Sequence, residues 1–328
     1  VRRKFFGTLH NSYSFFALYA NVDGWEPGKD YGVKAAPAEL DRWIISLLNT
    51  LIENVRAAYE NYDVTLAGRL IQDFVCDNLS NWYVRLGRKR FWGGGMTPDK
   101  LAAYQTMHKV LVNVAVLAAP IAPFYMDRLY CDLVPGADSV HFVTMPQVER
   151  EAQDKELEQR MDLAQRASSM VLALRRKVNI KVRQPLSKLV IPVLDSKTRE
   201  RLEAVKQLIL GEVNVKEAEF VEDSAGLVTK KIKPNFKTLG KRYGARMKEI
   251  AAAFATLDQD TINAIQKSEV AAAAYTLALA GGDVVLEPGD FEISSEDMPG
   301  WLVANDGPLS LALDVTLSPE LVREGIAR

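Results

Sequence analysis

The chain contains few residues that bind metals or form disulfides. Two cysteines, Cys76 and Cys131, lie far apart within helical patterns, which is typical of buried thiols in a reducing compartment. The three histidines, His10, His108 and His141, are equally scattered and lack the spacing of metal ligands. We therefore predict neither a metal site nor a disulfide, and we expect a cytoplasmic protein.

Other motifs are missing as well. No apolar run approaches the ~20 residues needed to span a bilayer, no secretory signal opens the chain, and no GxxxxGK[ST] loop is present. Three glycines at 93–95 precede a helix, but a helix end followed by a new helix cap explains them better than a phosphate site. Acidic residues are abundant, yet no spacing singles out a catalytic pair. We predict no catalytic residue and no cofactor in these 328 residues.

Charge is distributed unevenly along the chain. The formal net charge is −1, but the stretches 85–90, 175–183 and 230–242 contain four, five and six basic residues and no acidic one. From residue 283 onward, ten acidic residues stand against two arginines. Phosphate binding depends on a local patch, so a near-neutral total is compatible with nucleic-acid binding. Solvated surface explains any single cluster equally well.

Residues 62–92 have the periodicity of one long amphipathic helix. The apolar stripe expected to face the core consists of Leu66, Leu70, Phe74, Leu79, Trp82, Tyr83 and Leu86. At about 100° per residue, Asn81, Arg85, Arg88 and Trp92 share the opposite face. Guanidinium groups pair with phosphate oxygens, and an indole ring offers a base a stacking surface. This face is typical of a helix that lies along RNA, although basic residues in a last turn also suit the helix dipole.

The apolar pattern predicts a mainly α chain. The predicted helices of the first half are 5–20, about 37–59, 62–92, 97–119, 120–133 and 153–179. Their short connections favour an antiparallel helix bundle. The second half is predicted to contain strands at 186–193, 214–221, 227–233, 275–280, 283–286, 291–294, 301–304 and 309–315, and helices at 196–210, 244–257 and 260–268. We predict a helical domain at 1–183 followed by a smaller α+β domain at 184–328.

Several blocks are specific enough to indicate a family. They include NWYVRLGRKRFW at 81–92, KVRQPL at 181–186 and KPNFKTLGKRYG at 233–244. Together with blocks at 2–24, 41–63, 117–130 and 301–328, they resemble the tRNA-binding C-terminal part of the isoleucyl-tRNA synthetases, a family of class I aminoacyl-tRNA synthetases. The chain starts with Val1 inside a helical pattern and stops inside another, so we expect a fragment of a longer protein.

The resemblance implies a helical anticodon-binding domain followed by an α+β region. The catalytic signatures His-Ile-Gly-His and Lys-Met-Ser-Lys-Ser do not occur in this sequence. The resemblance therefore implies that activation of isoleucine, with ATP and Mg, belongs to N-terminal catalytic and editing domains of the same longer chain. The fragment alone is expected to be inactive.

On this basis we predict that the chain holds the anticodon arm of isoleucine tRNA, and that Trp82 packs in the core. The candidate tRNA contacts are Asn81, Arg85, Arg88, Lys89, Trp92, Lys181, Arg183, Lys237, Lys241 and Arg242. Two alternatives stay open. One is the same module of a valyl- or leucyl-tRNA synthetase, and the other is a protein-interaction domain whose basic patches bind an acidic partner. No membrane partner is expected.

Overall fold

The computed structural model describes residues 2–193, 195–222, 228–270, 273–279, 282–297, 300–307 and 309–327. The chain divides into two compact units, Val1–Met161 and Asp162–Arg328, and each is described by itself. The boundary between the units falls inside a long helix, Lys155–Lys177. The predicted domain division after residue 183 stays a prediction.

The first unit is helical throughout its regular structure. Its helices are α1 (Gly7–Asp23), α2 (Glu39–Glu60), α3 (Val64–Asp73), α4 (Arg85–Trp92), α5 (Pro98–Ala118), α6 (Pro123–Leu133) and the beginning of α7 (Lys155–Lys177). Short 3-10 turns lie at Val140–Phe142 and Arg150–Ala152, and a π-helical turn, Arg2–Phe6, leads into α1. Each of the six helices predicted for the first half of the chain is present.

Local side chains determine where these helices begin. The Asp63 carboxylate accepts a hydrogen bond from the Leu66 amide at 2.8 Å and opens α3. The Thr97 hydroxyl accepts one from the Lys100 amide at 3.1 Å and opens α5. Both satisfy amides that a helix start leaves without a backbone partner. At the other end, Gly24 closes α1 in the left-handed conformation, with φ of 62°.

The helix predicted over 62–92 is continuous but not α-helical throughout. Its central eleven residues, Phe74–Val84, form a π-helix between α3 and α4. The prediction of one apolar stripe with a constant α-helical period along the whole helix was therefore wrong. Leu66 is exposed, and the buried face of α3 is formed by Ala67 and Ile71. The wider turns of a π-helix shift the angular phase, which is why a single α-helical period does not describe both ends.

The core of this unit surrounds α2 and α5. Helix α2 contacts α3, α5 and the π-helical segment, while α5 also contacts α1 and α6. The largest fully buried apolar side chains include Trp43, Tyr83, Tyr104, Leu9, Ile44, Leu48, Ile71, Leu79, Met107 and Leu111. The helices that pack around α2 and α5 form the predicted helix bundle.

The second unit contains a four-stranded sheet in the order β2-β1-β8-β7. Its strands are β1 (Leu186–Pro192), β2 (Val215–Val221), β7 (Trp301–Asp306) and β8 (Leu309–Asp314). Strands β1 and β2 are parallel and are connected through α8 (Ser196–Val213), whereas β8 pairs antiparallel with both β1 and β7. The hairpin predicted at Asp306-Gly307 joins β7 to β8. The chain continues into α12 (Pro319–Ala327).

Between β2 and β7 the chain forms a further module, residues 228–297, here called the inserted module. It contains β3 (Val228–Pro234), α9 (Phe236–Tyr243), α10 (Met247–Thr256), α11 (Gln259–Val270), β4 (Tyr275–Leu277), β5 (Val284–Leu286) and β6 (Phe291–Asp297). Strands β3 and β6 form one antiparallel pair and β4 and β5 another. The module has a hydrophobic core of its own, made of Ile232, Leu239, Ile250, Phe254, Ile262, Ile265, Leu277, Val284, Leu286 and Phe291.

Most of the predicted strands and helices of the second half are confirmed, with two differences. Helix α9 was not predicted. The strand predicted at 275–280 ends at Leu277, and residue 280 lies outside the described part, as does residue 227 of another predicted strand.

Candidate nucleic-acid interface

The predicted RNA-facing side chains of the third helix are all exposed. Asn81 lies in the last turn of the π-helical segment, and Arg85, Arg88, Lys89 and Trp92 lie in α4. Positions three, four and seven apart lie on one side of an α-helix. Arg85, Arg88, Lys89 and Trp92 therefore share a face, here called the α4 face. Trp92 is 58% exposed.

Trp82 is buried, as predicted, and contributes to the α4 face from beneath. Only 4% of its surface is exposed. The Arg85 guanidinium lies 5.9 Å from the centre of the Trp82 ring, within the range of a cation–π contact. The Arg85 Nε also donates a 2.8 Å hydrogen bond to the carbonyl oxygen of Asn81. These contacts hold the Arg85 side chain against its own helix.

A buried ion pair anchors α4 to the starts of two other helices. Arg90 donates to both carboxylate oxygens of Asp41, at 2.8 and 2.6 Å, and to Asp99 through Nε at 2.9 Å. Asp41 is 1% exposed and also accepts the Tyr83 hydroxyl at 2.6 Å. Two bidentate contacts fix a guanidinium in position as well as orientation. We call the set Asp41, Tyr83, Arg90 and Asp99 the Arg90 clamp.

Two members of the clamp, Tyr83 and Arg90, have raised pKa values. Burial raises the pKa of Tyr83 well above its ordinary value, and the neighbouring Asp41 raises it further. Burial alone would lower the pKa of Arg90, but its hydrogen bonds to Asp41 and Asp99 outweigh that effect and raise it. The tyrosine therefore stays neutral and the arginine stays charged across the physiological pH range.

The end of α4 is held by a buried lysine. Lys100 is 2% exposed and donates to the Gly93 carbonyl oxygen at 2.7 Å. The same ammonium pairs with Asp23 at 2.5 Å. Gly93 closes α4 and Thr97 opens α5, so the prediction that the glycine run is a helix end followed by a cap is confirmed.

The second predicted pair, Lys181 and Arg183, lies in the second unit, in the loop between α7 and β1. Both side chains are exposed. The loop is shaped by Arg175, which is 1% exposed and donates to the carbonyl oxygens of Gln184 at 2.9 Å and Lys181 at 3.3 Å. A third bond joins Arg175 to the Asn214 carbonyl oxygen at 2.8 Å.

Asn214 holds the same loop from the other side. It closes α8 in the left-handed conformation, with φ of 51°. Its side-chain amide donates to the carbonyl oxygens of Val182 at 2.8 Å and Arg183 at 3.2 Å. Burial lowers the pKa of Arg175 to about 10, and the group stays charged at neutral pH. The side chains of Arg175 and Asn214 thus determine the backbone conformation from which Lys181 and Arg183 project.

The third predicted group lies on α9 of the inserted module. Lys237 and Lys241 are exposed. Arg242 is exposed as well, but it pairs with Asp290, which is 4% exposed, and with Glu287 at 3.0 Å. Two carboxylates therefore compensate its charge. Its role as a tRNA contact stays a prediction, and its visible role is to hold α9 against the loop before β6.

Sequence reasoning missed the residues that support these surfaces. Arg90 and Arg175 were predicted only as members of basic stretches, and Lys100 was not singled out. The sequence offered no signal for them, because the burial of Asp41, which makes a charged partner necessary, is visible only in the structure. Within the described ranges, no three His, Cys, Asp or Glu side chains lie close enough to hold a metal ion. No described helix is long and apolar enough to cross a membrane.

Comparison with known proteins assigns the family. Residues 41–190 match the family described as "Anticodon-binding domain of tRNA ligase". These residues are an anticodon-binding domain of the tRNA ligase family. The match includes the α4 face, the Arg90 clamp and the loop of Lys181 and Arg183, and it ends within β1. The matched range 41–190 thus includes seven of the ten predicted contact residues, and the three on α9 lie beyond it.

The whole chain is also similar to larger proteins named isoleucine–tRNA ligase. It is 58% identical to that of Bacteroides fragilis over 334 aligned residues, 54% identical to that of Porphyromonas gingivalis and 36% identical to that of Clostridium tetani. All of the chain is covered in each case, against 29%, 28% and 31% of the relative. The chain thus spans about three tenths of the length of these relatives, and the predicted resemblance is confirmed.

Proposed function

We propose that this chain binds the anticodon arm of isoleucine tRNA on behalf of an isoleucine–tRNA ligase. The observation that carries the proposal is the exposed α4 face inside an anticodon-binding domain. Names of the similar proteins favour isoleucine over the valyl and leucyl alternatives. The setting is translation, and hence the cytoplasm.

The α4 face offers two kinds of contact to such an arm. Arg85, Arg88 and Lys89 are suited to backbone phosphates, because a guanidinium or ammonium gains most from an anionic oxygen. Trp92 is suited to an unpaired base, since anticodon-loop bases are splayed and stack on aromatic rings. The Arg90 clamp and Lys100 keep α4 in place, which reduces the ordering cost of binding.

The chemistry of aminoacylation belongs to the remainder of the ligase. The activation of isoleucine with ATP and Mg, the transfer to tRNA and any editing would occur in N-terminal catalytic and editing domains of the same chain. This chain would contribute position only. By holding the anticodon arm, it would place the acceptor end of the tRNA near the catalytic domain, where orientation accelerates the reaction.

Binding of purified tRNAs tests the proposal. We expect the chain to bind isoleucine tRNA more tightly than valine tRNA, and to lose affinity as salt rises because bound phosphates release counterions. Equal, weak binding of both tRNAs would mean that the chain binds only the phosphate backbone and does not distinguish the two tRNAs. Failure to bind either tRNA, together with a stable complex with an acidic protein, would favour the protein-interaction alternative.

A further inference from the structure

The inserted module displays an aromatic side chain that its core does not cover. Phe236 is 64% exposed and occupies the first position of α9, directly after β3 and the capping residue Asn235. One turn later, Leu239 is fully buried in the module's core. A large apolar side chain in water loses the free energy that burial would provide, so Phe236 is a candidate for contact with a partner.

The surroundings of Phe236 are basic. Lys237 is its direct neighbour, and Lys241 follows four residues later, so the two exposed lysines are adjacent on the helix surface. Lys233 at the end of β3 is exposed too, but its cross-strand neighbour is Glu292, which offsets its charge. An exposed aromatic ring with two lysines on one side of it is complementary to a nucleotide, which has a flat base and an anionic phosphate.

The N-terminal end of α9 is rigidly attached to the loop that precedes β6. The Asn235 amide donates to the Asp290 carbonyl oxygen at 2.8 Å, and the Asn235 side chain donates to the Gly289 carbonyl oxygen at 3.0 Å. Asn235 also accepts the Lys237 amide at 3.1 Å. Asn235 thereby fixes the backbone on which Phe236 and Lys237 stand.

The C-terminal end of α9 is tied to the same loop and to β5. Arg242 pairs with Asp290 and Glu287, and the Tyr243 hydroxyl accepts the Val285 amide at 3.0 Å. Both ends of an eight-residue helix are thus held, so its outer surface is preorganised. Preorganised aromatic and basic groups bind with little loss of conformational entropy.

We propose that α9 forms a second tRNA-binding surface, in which Phe236 stacks on an unpaired base while Lys237 and Lys241 bind flanking phosphates. In this arrangement Arg242 is a positioning residue that holds the helix. The inference rests on the proposed tRNA binding and extends it to a part of the chain beyond the anticodon-binding domain, which ends at residue 190.

Three substitutions of Phe236 test the stacking contact, with isoleucine tRNA as the probe. Phe236→Ala and Phe236→Leu are expected to weaken binding by roughly tenfold, as loss of an aromatic–base stack does. Phe236→Trp should retain or improve it, because indole also stacks. The Ala variant should keep the wild-type slope of affinity against salt, whereas Lys237→Ala should reduce that slope by about one unit.

Phe142→Ala is the matched control. Phe142 is 81% exposed and has no lysine or arginine between residues 129 and 149, so its removal should leave tRNA binding unchanged. A fully paired RNA hairpin supplies a second control, since it offers no unpaired base. The Phe236→Ala loss should disappear with that hairpin.

The outcomes separate this inference from the proposed function. If the unmodified chain binds tRNA and Phe236→Ala binds equally well, α9 is not a binding surface while the proposed function stands. If Phe236→Leu binds like the wild type, the contact is apolar packing and the stacking assignment is overturned. If the unmodified chain binds no tRNA, the proposed function itself fails.

Discussion

At the scale of single residues, the basic side chains of this chain divide into two groups. Arg88, Lys89 and Lys181 are exposed, whereas Arg175 is buried and bound by protein groups. Removing an arginine from water is costly unless carboxylates or carbonyl oxygens replace the solvent. The buried Arg175 therefore stabilises the local structure, and the exposed basic residues are accessible to a ligand.

The Asp41→Ala variant tests the Arg90 clamp. It removes the acceptor of three side-chain hydrogen bonds, two from Arg90 and one from Tyr83. The Arg90 side chain, which is only 14% exposed, then lacks this partner. We expect the free energy of unfolding to fall by about 3 kcal/mol or more, as for other broken buried pairs. Urea unfolding measures this change.

A surface pair in the same unit provides the control for the clamp. Glu149 pairs with Lys109 at 2.7 Å, with both side chains largely in solvent, so Glu149→Ala should cost less than about 1 kcal/mol. If Asp41→Ala cost no more than Glu149→Ala, the clamp would not be what anchors α4.

The exposed candidates were predictable from sequence, but their supports were not. Helical phase and local charge suffice to place Arg85, Arg88 and Trp92 on one surface. The partners of Arg90 at Asp41 and of Arg175 at Asn214 are about 40 or more residues away, and no local pattern reveals such contacts. The pairing of Arg242 with Asp290 was missed for the same reason, because Asp290 belongs to a remote loop.

At the scale of elements, helix boundaries were predictable where capping residues mark them. The prediction placed the start of α5 at Thr97 and the end of α6 at Leu133, and the structure agrees closely. The π-helical segment was missed, since amphipathic periodicity assumes one constant turn angle. Helix α9 was missed because it has only eight residues and contains Gly240, a poor helix former.

The loop between α7 and β1 depends on a single buried side chain. Arg175→Met removes three hydrogen bonds to carbonyl oxygens and leaves these acceptors unsatisfied, so we expect a loss of roughly 1–3 kcal/mol in unfolding free energy. Binding of tRNA should weaken as well, although Lys181 and Arg183 remain in place.

Arg176→Met is the matched variant for this loop. It removes the same charge from the next residue, which is exposed, and should leave stability unchanged within about 0.5 kcal/mol. Thermal unfolding and tRNA affinity of the two variants are compared directly. Equal stability and equal affinity would show that Arg175 does not shape the loop.

At the scale of the whole molecule, a near-neutral chain concentrates exposed basic residues in a few places. The net charge of −1 conceals the α4 face, the loop of Lys181 and Arg183, and α9. Field strength at a phosphate depends on nearby charges, because salt screens interactions beyond about 8 Å at physiological ionic strength. Local basic surfaces can thus bind RNA while the acidic remainder keeps the total low.

The order of secondary structure was largely predictable, but the nesting of the inserted module was not. Strand β1 pairs with β8, more than a hundred residues later, and the module with its own core lies between them in sequence. Each strand has a local alternating pattern, but pairing over such distances depends on tertiary packing. Within the range predicted as one small α+β domain, the structure has a four-stranded sheet and the inserted module.

The most direct test of anticodon-arm binding is a ribose-cleavage footprint of isoleucine tRNA with and without this chain. We predict protection of the anticodon loop and stem, because the α4 face belongs to an anticodon-binding domain. Arg85→Ala should weaken that protection, whereas Glu149→Ala should not. Protection confined to the acceptor stem, or spread evenly along the backbone, would contradict the claim that this chain binds the anticodon arm.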